Sequence, residues 1–156
     1  MASTEVSRIA KLSRHTLDGQ PWYGTALCKL LAGVTAEKAA AHPIPGAHSI
    51  WQEVLHAITW RKVTIRLLNG EKEPDVTEEE NWPQPSGDSA AAWQQTLDEL
   101  AGTQEPLEAA LAALTDERLS EKAPEKPYSF YVLVHGVIQH DAYHAGQIAL
   151  LKNAAP

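Results

Sequence analysis

Residues 49–69 read SIWQEVLHAITWRKVTIRLLN, and this stretch decides the fold class. Ser49 followed three residues later by Gln52 is the pattern of a helix N-cap with a capping box. Gly70 follows the stretch and supplies a stop, because glycine adopts the left-handed conformation that commonly ends a helix. The stretch does not alternate apolar and polar residues at the two-residue period of a strand. It therefore predicts one long α-helix.

Three more segments carry apolar residues at the helical spacing. They predict long helices over residues 4–17, 88–114 and 129–153, and Gly102 and Pro106 are the points at which the second of these can bend. Shorter helical pieces are expected over 22–31 and just after Thr35.

Two long polar connections contain prolines, residues 71–87 and 115–128. Four long helices with two long connections favour an all-α four-helix bundle with long crossover connections over a simple up-and-down bundle. A chain of 156 residues has the usual length of one domain, so we expect a single helical domain over 1–156.

The composition excludes several classes of protein and site. The net charge is −7, from 13 basic and 20 acidic residues, which argues against binding to nucleic acid or an anionic membrane. Residues 71–80 hold six acidic residues and one lysine, so much of this charge is local. The N-terminus has no signal-peptide pattern and no apolar run approaches the roughly 20 residues of a membrane span, so a cytoplasmic protein is expected.

Seven histidines accompany one cysteine, Cys28. A single cysteine excludes an internal disulfide and any multi-cysteine metal site. Its apolar neighbours predict a buried thiol rather than a nucleophile. A metal bound by this chain must therefore have nitrogen and oxygen ligands.

His140 and His144 form the most informative pair. Positions i and i+4 of a helix lie about 40° apart and about 6 Å along the axis, so both imidazoles can face one cation. Leu133 and Leu151 share their side of the predicted helix, which places the pair on the inward face. His135 is rotated by about 140° from His140 and cannot join them.

His56 is the best third ligand. It shares an apolar face of its predicted helix with Trp60, Val63 and Leu67. A buried histidine is costly unless its nitrogens are bonded, and a metal is one way to bond them. The other histidines outside the last helix are expected to be surface or capping residues: His15, His42 and His48.

Three neutral imidazoles suit a divalent cation. Zinc or nickel is the expected ion, and iron, copper and manganese are alternatives. Three protein ligands leave a position open for water or substrate, as in catalytic zinc sites. A helical interaction module whose core histidines are satisfied by hydrogen bonds stays open as an alternative.

The sequence does not fit two other kinds of metal site. The stretch 140–144 reads HDAYH and superficially matches the H-E-x-x-H protease motif, but Asp141 is too short for the glutamate's role. A di-iron carboxylate bundle needs two E-x-x-H motifs on different helices. Glu53 and His56 supply one, and the last helix has no matching glutamate.

Three motifs carry a resemblance to a known family: GQPW at 19–22 followed by Gly24, HSIWQEVLHAITW at 48–60 and HDAYHAGQI at 140–148. Together they resemble the DinB/YfiT-like metalloenzyme superfamily, over nearly the whole chain. The resemblance implies a four-helix bundle with a three-histidine site, whose ligands map to His56, His140 and His144. It also implies a homodimer.

Some members of this family look like thiol S-transferases or isomerases that use low-molecular-weight thiols, and others look like metal-dependent hydrolases. We therefore expect a metal-dependent enzyme that acts on a small molecule. Glu53, Tyr143 and Gln147 are the candidate catalytic residues near the ligands, with Glu53 as a base. The alternative is a non-enzymatic, stress-associated bundle that binds a metal.

Overall fold

A computed structural model describes residues 4–72 and 75–154, and within them every regular element is helical. The α-helices are α1 (Glu5–Leu17), α2 (Leu27–Leu31), α3 (Ala36–Ala40), α4 (Ile50–Leu68), α5 (Glu78–Asn81), α6 (Ala90–Gly102), α7 (Gln104–Ala112) and α8 (Phe130–Ala154). A 3₁₀ helix spans Glu117–Ser120. The described residues contain no β-strand, so the all-α prediction is confirmed.

The ends of the long helices follow their capping residues. Ser49 accepts a hydrogen bond from the Gln52 amide, and the Gln52 side chain accepts one from the Ser49 amide, so the capping box is confirmed. Gly70 has a φ of 84°, the left-handed conformation that ends α4 without strain. The side chains of Thr4 and Ser89 also accept a backbone hydrogen bond at the starts of α1 and α6, without the reciprocal bond of a capping box.

Two predicted helices are corrected. The piece expected over 22–31 begins only at Leu27, after a turn in which Gly24 has a φ of 138°. The helix expected over 88–114 is two helices that break at Thr103. Pro106 explains the break, because its ring clashes with the carbonyl group four residues earlier, that of Gly102.

The crossover predicted over 71–87 contains the short helix α5, which begins with a second capping box. Thr77 accepts from the Glu80 amide, and the Glu80 carboxylate accepts from the Thr77 amide. Glu73 and Pro74 of this crossover lie outside the described residues, as do residues 1–3 and 155–156. None of the described helices is long and apolar enough to cross a membrane.

The core consists of two apolar clusters, one near each end of the bundle. The first joins Leu17 at the end of α1 to Trp51 at the start of α4, Trp93 near the start of α6 and Ile148 in the last third of α8. The second joins residues from the opposite ends of α1, α4 and α8 to residues of α7: Val6, Leu67, Leu107, Leu111 and Phe130. Helices α1 and α8 therefore run one way, and α4 and α6–α7 run the other way. Only the connection from α4 to α6 must cross the length of the bundle; the connection predicted over 115–128 stays at one end, because α7 ends and α8 begins beside the second cluster.

A buried polar layer separates the two clusters. Arg61 is completely buried, and its guanidinium reaches Asp141 on α8, Gln104 on α7 and Thr103 between α6 and α7. The three donor–acceptor distances are 2.5, 2.5 and 2.6 Å. Gln104 also donates to Glu108, which pairs with Arg14 of α1. The network thus links all four bundle helices at mid-height.

Candidate metal centre

Helices α4 and α8 pack antiparallel and bring His56, His140 and His144 together. His140 Nε2 lies 2.9 Å from His56 Nε2 and 3.1 Å from His144 Nε2. One ligand atom from each residue lies within 4.8 Å of the others, so the cluster could hold a divalent metal ion. His135 lies outside the cluster, as its helical position predicts, and its Nδ1 bonds to the Tyr131 carbonyl.

The orientation of His56 is fixed by the crossover that contains α5. His56 Nδ1 lies 2.6 Å from the carbonyl oxygen of Asn81, which can only accept, so Nδ1 carries the hydrogen. A neutral His56 then directs the lone pair of Nε2 at the other two histidines. The Asn81 side chain accepts a hydrogen bond from Trp60 Nε1 at 2.9 Å, which holds the crossover against α4.

Trp82 covers the outer face of His56. Its ring stacks on His56 with centroids 4.0 Å apart and on His48 with centroids 3.6 Å apart. His48 is therefore a half-buried stacking residue, not the surface or capping residue that was expected. His15 does act as a cap, because its Nδ1 accepts from the Gln20 amide. His42 is exposed.

Glu53 lies on the far side of His144 from the cluster. Its Oε2 is 2.5 Å from His144 Nδ1, and both side chains are buried. The carboxylate accepts from Nδ1, so Nε2 is the nitrogen of His144 that faces His140. Carboxylate groups commonly orient metal-binding histidines in this way and raise their basicity. Glu53 is therefore placed to position a ligand.

The other two candidate catalytic residues lie around His144. Tyr143 is exposed, and its ring meets the edge of the His144 ring at 5.0 Å between centroids. Gln147 is half-buried on the next turn of α8. In the part of the chain that the structure describes, neither side chain bonds to one of the three imidazoles.

Burial favours the neutral form of two histidines of the cluster, His140 and His56. It lowers the pKa of His140 to about 3, with a further contribution from the two neighbouring imidazoles. Burial also lowers the pKa of His56 from its usual value, although the bond to Asn81 opposes this shift. Neutral imidazole is the form that binds metals, so these histidines need not lose a proton to bind at neutral pH.

The donor set and its spacing fit a first-row divalent cation. Ligand nitrogens at tetrahedral zinc are about 3.3 Å apart, given zinc–nitrogen distances near 2.05 Å. The two separations that involve His140, 2.9 and 3.1 Å, lie slightly below this value, and the three ligand atoms lie within 4.8 Å of one another, so the imidazoles would shift to enclose a cation. His140 Nδ1 is buried without a hydrogen-bond partner among the described residues, so this ring, unlike those of His56 and His144, has no residue on its Nδ1 side that orients it.

We expect Glu53→Gln to weaken metal binding by about 10- to 100-fold, because the neutral amide makes His144 a poorer donor. Competition titration with a chromophoric zinc chelator measures the change. Glu105→Gln is the matched control, since Glu105 is exposed on α7. Equal zinc affinity in the two variants would show that Glu53 does not support the site.

Sequence reasoning missed Asn81, Trp82 and the Arg61–Asp141 pair. The capping residues Thr77 and Glu80 were a signal for α5, but not for its contact with His56. Asp141 lies in the polar layer, paired with Arg61, which agrees with the exclusion of a protease motif.

The chain matches a known protein family. The model of the DinB superfamily matches residues 24–148, a range that includes all three clustered histidines. Searches for similar curated proteins and for similar solved structures found no match. The match covers most of the chain and agrees with the all-helical fold, and the chain therefore belongs to the DinB superfamily.

Proposed function

We propose that this protein is a metal-dependent enzyme that acts on a small molecule, by thiol S-transfer or by hydrolysis. The observation that carries the proposal is the common orientation of the cluster. Asn81 and Glu53 bond to Nδ1 of His56 and His144, so both Nε2 atoms face His140 Nε2. Two independent partners thus leave the same atom, Nε2, of both histidines available to bind one cation.

The proposed cation is zinc or nickel, although the same donors accept iron, copper or manganese. Bound to His56, His140 and His144, it supplies a Lewis acid that can lower the pKa of a water or thiol toward neutrality. The chain's own residues position this centre: Glu53 orients His144, and Asn81 with Trp82 orients His56. Tyr143 and Gln147 are proposed to contact the substrate.

The number of ligands favours catalysis over a purely structural metal. Structural zinc sites generally use four protein ligands, whereas this cluster supplies three.

The single cysteine of the chain is a poor nucleophile. Cys28 is half-buried, where the sequence predicted a buried thiol, and burial raises its pKa to about 11. A thiol-transfer reaction would therefore take its thiol from a second substrate, and a low-molecular-weight thiol is the proposed class.

The test is metal-dependent turnover. The protein is purified without chelators or nickel resin, loaded separately with zinc and nickel, and assayed with thiol–electrophile pairs and with small ester and amide substrates. We expect turnover with one loaded form and none with the metal-free form. A metal that stabilises the fold while every assay stays silent would favour a non-enzymatic metal-binding bundle instead.

A further inference from the structure

A small pocket lies between α4 and α8, directly beside the histidine cluster. Its volume is about 200 Å³, and His140 forms part of its wall. Much of the remaining wall is apolar: Trp60, Leu133, Val137 and, on the exposed side of α8, Val132. The pocket therefore shares one wall residue with the metal centre.

Besides the Tyr128 hydroxyl and His140 Nδ1, the polar side-chain groups in this wall are bonded elsewhere. The Thr64 hydroxyl donates to the Trp60 carbonyl at 2.8 Å, and Trp60 Nε1 donates to Asn81 at 2.9 Å. No aspartate, glutamate, lysine or arginine lines the pocket. A charged ligand would find no partner here, whereas a neutral apolar group would lose little on leaving water.

We propose that this pocket binds the apolar part of the substrate, a phenyl ring or a compact alkyl group, while the reacting group lies at the metal centre. This inference rests on the proposed function and adds the substrate class to it. An apolar cavity of about 150 Å³ binds benzene. The larger volume here therefore holds a six-membered ring with one or two further carbons.

Gly136 is the position at which a larger side chain can be used to fill the pocket. It lies one turn before His140 and lines the wall, and a Cβ atom added there would meet no atom within 4 Å. A leucine at this position has space in the pocket, and burial of its side chain there is favoured over exposure to solvent. Gly146→Leu is the matched control, because Gly146 is exposed on the same helix and equally free of close neighbours.

The experiment measures the affinity of ethanethiol, butane-1-thiol and phenylmethanethiol for the zinc-loaded protein by calorimetry. We expect affinity to rise by about fourfold for each added methylene that the pocket buries. Gly136→Leu should remove this dependence while retaining zinc, and Gly146→Leu should keep it. Gly136→Ala is a smaller change that should reduce the dependence of affinity on thiol size. It replaces the leucine variant in the experiment if that variant does not fold.

Toluene binding to the metal-free protein separates this inference from the proposed function. We expect toluene to bind wild type and Gly146→Leu but not Gly136→Leu, as measured by ligand-observed NMR. If the protein shows no turnover yet binds toluene in this pattern, the proposed function fails and the pocket stands. Thiol affinities independent of chain length, or toluene binding unchanged by Gly136→Leu, would overturn the pocket's role.

Discussion

Arg61→Met is expected to lower the free energy of unfolding by about 3–5 kcal/mol, because it leaves a buried charge without its partner. Arg61 and Asp141 are both completely buried, and their ion pair lies at the centre of the polar layer. Asp141 Oδ1 already lacks a hydrogen-bond partner among the described residues, so the carboxylate depends on Arg61. Urea unfolding monitored by circular dichroism measures the loss.

Two further variants make this result specific. Lys62→Met removes an exposed ion pair with Glu99 from the adjacent position of α4, and should cost less than about 1 kcal/mol. Combining Arg61→Met with Asp141→Leu should recover much of the lost stability, since the uncompensated charge is then gone. A loss no larger than that of Lys62→Met, or strictly additive effects in the double variant, would contradict the account of the layer.

His140→Ala is expected to abolish stabilisation of the fold by zinc. A ligand present at about 1,000 times its Kd adds about 4 kcal/mol to the free energy of unfolding. His140 has the Nε2 atom that lies close to those of both His56 and His144, so its loss leaves two separated ligands. Thermal unfolding with and without zinc should therefore give the same midpoint in this variant.

His135→Ala is the matched control for that experiment. His135 lies on the same helix and bonds to the Tyr131 carbonyl, away from the cluster. Its variant should keep the full increase in midpoint on addition of zinc. A zinc-dependent increase that survives in His140→Ala and disappears in His135→Ala would place the metal elsewhere on α8.

The helices could be predicted because their signals are local. The capping box at Ser49 and the stop at Gly70 lie within one or two residues of the helix ends that they determine. The prediction over 88–114 placed a bend at Gly102 and Pro106 but kept a single helix, because apolar spacing continues across the break at Thr103. There the proline effect outweighs the periodicity, and Thr103 uses its hydroxyl to accept from Arg61.

The three clustered histidines could be predicted because each lies on the apolar face of a long helix, where spacing determines direction. The residues that orient His56 and His144 could not be predicted from the sequence. Asn81 and Trp82 reach His56 from a crossover without periodicity, and their placement depends on the packing of α5 against α4. Likewise, Glu53 was expected as a base, while its contact with His144 depends on the register between two helices. The homodimer stays a prediction.

The metal content of the protein tests the central claim most directly. The chain is expressed without an affinity tag that binds metals, purified without chelators and examined by elemental analysis, then titrated with zinc after dialysis. We expect close to one divalent cation per chain in wild type, and none in the variant that replaces His56, His140 and His144 by alanine. A wild-type chain that carries no stoichiometric metal and binds none on titration would contradict the account.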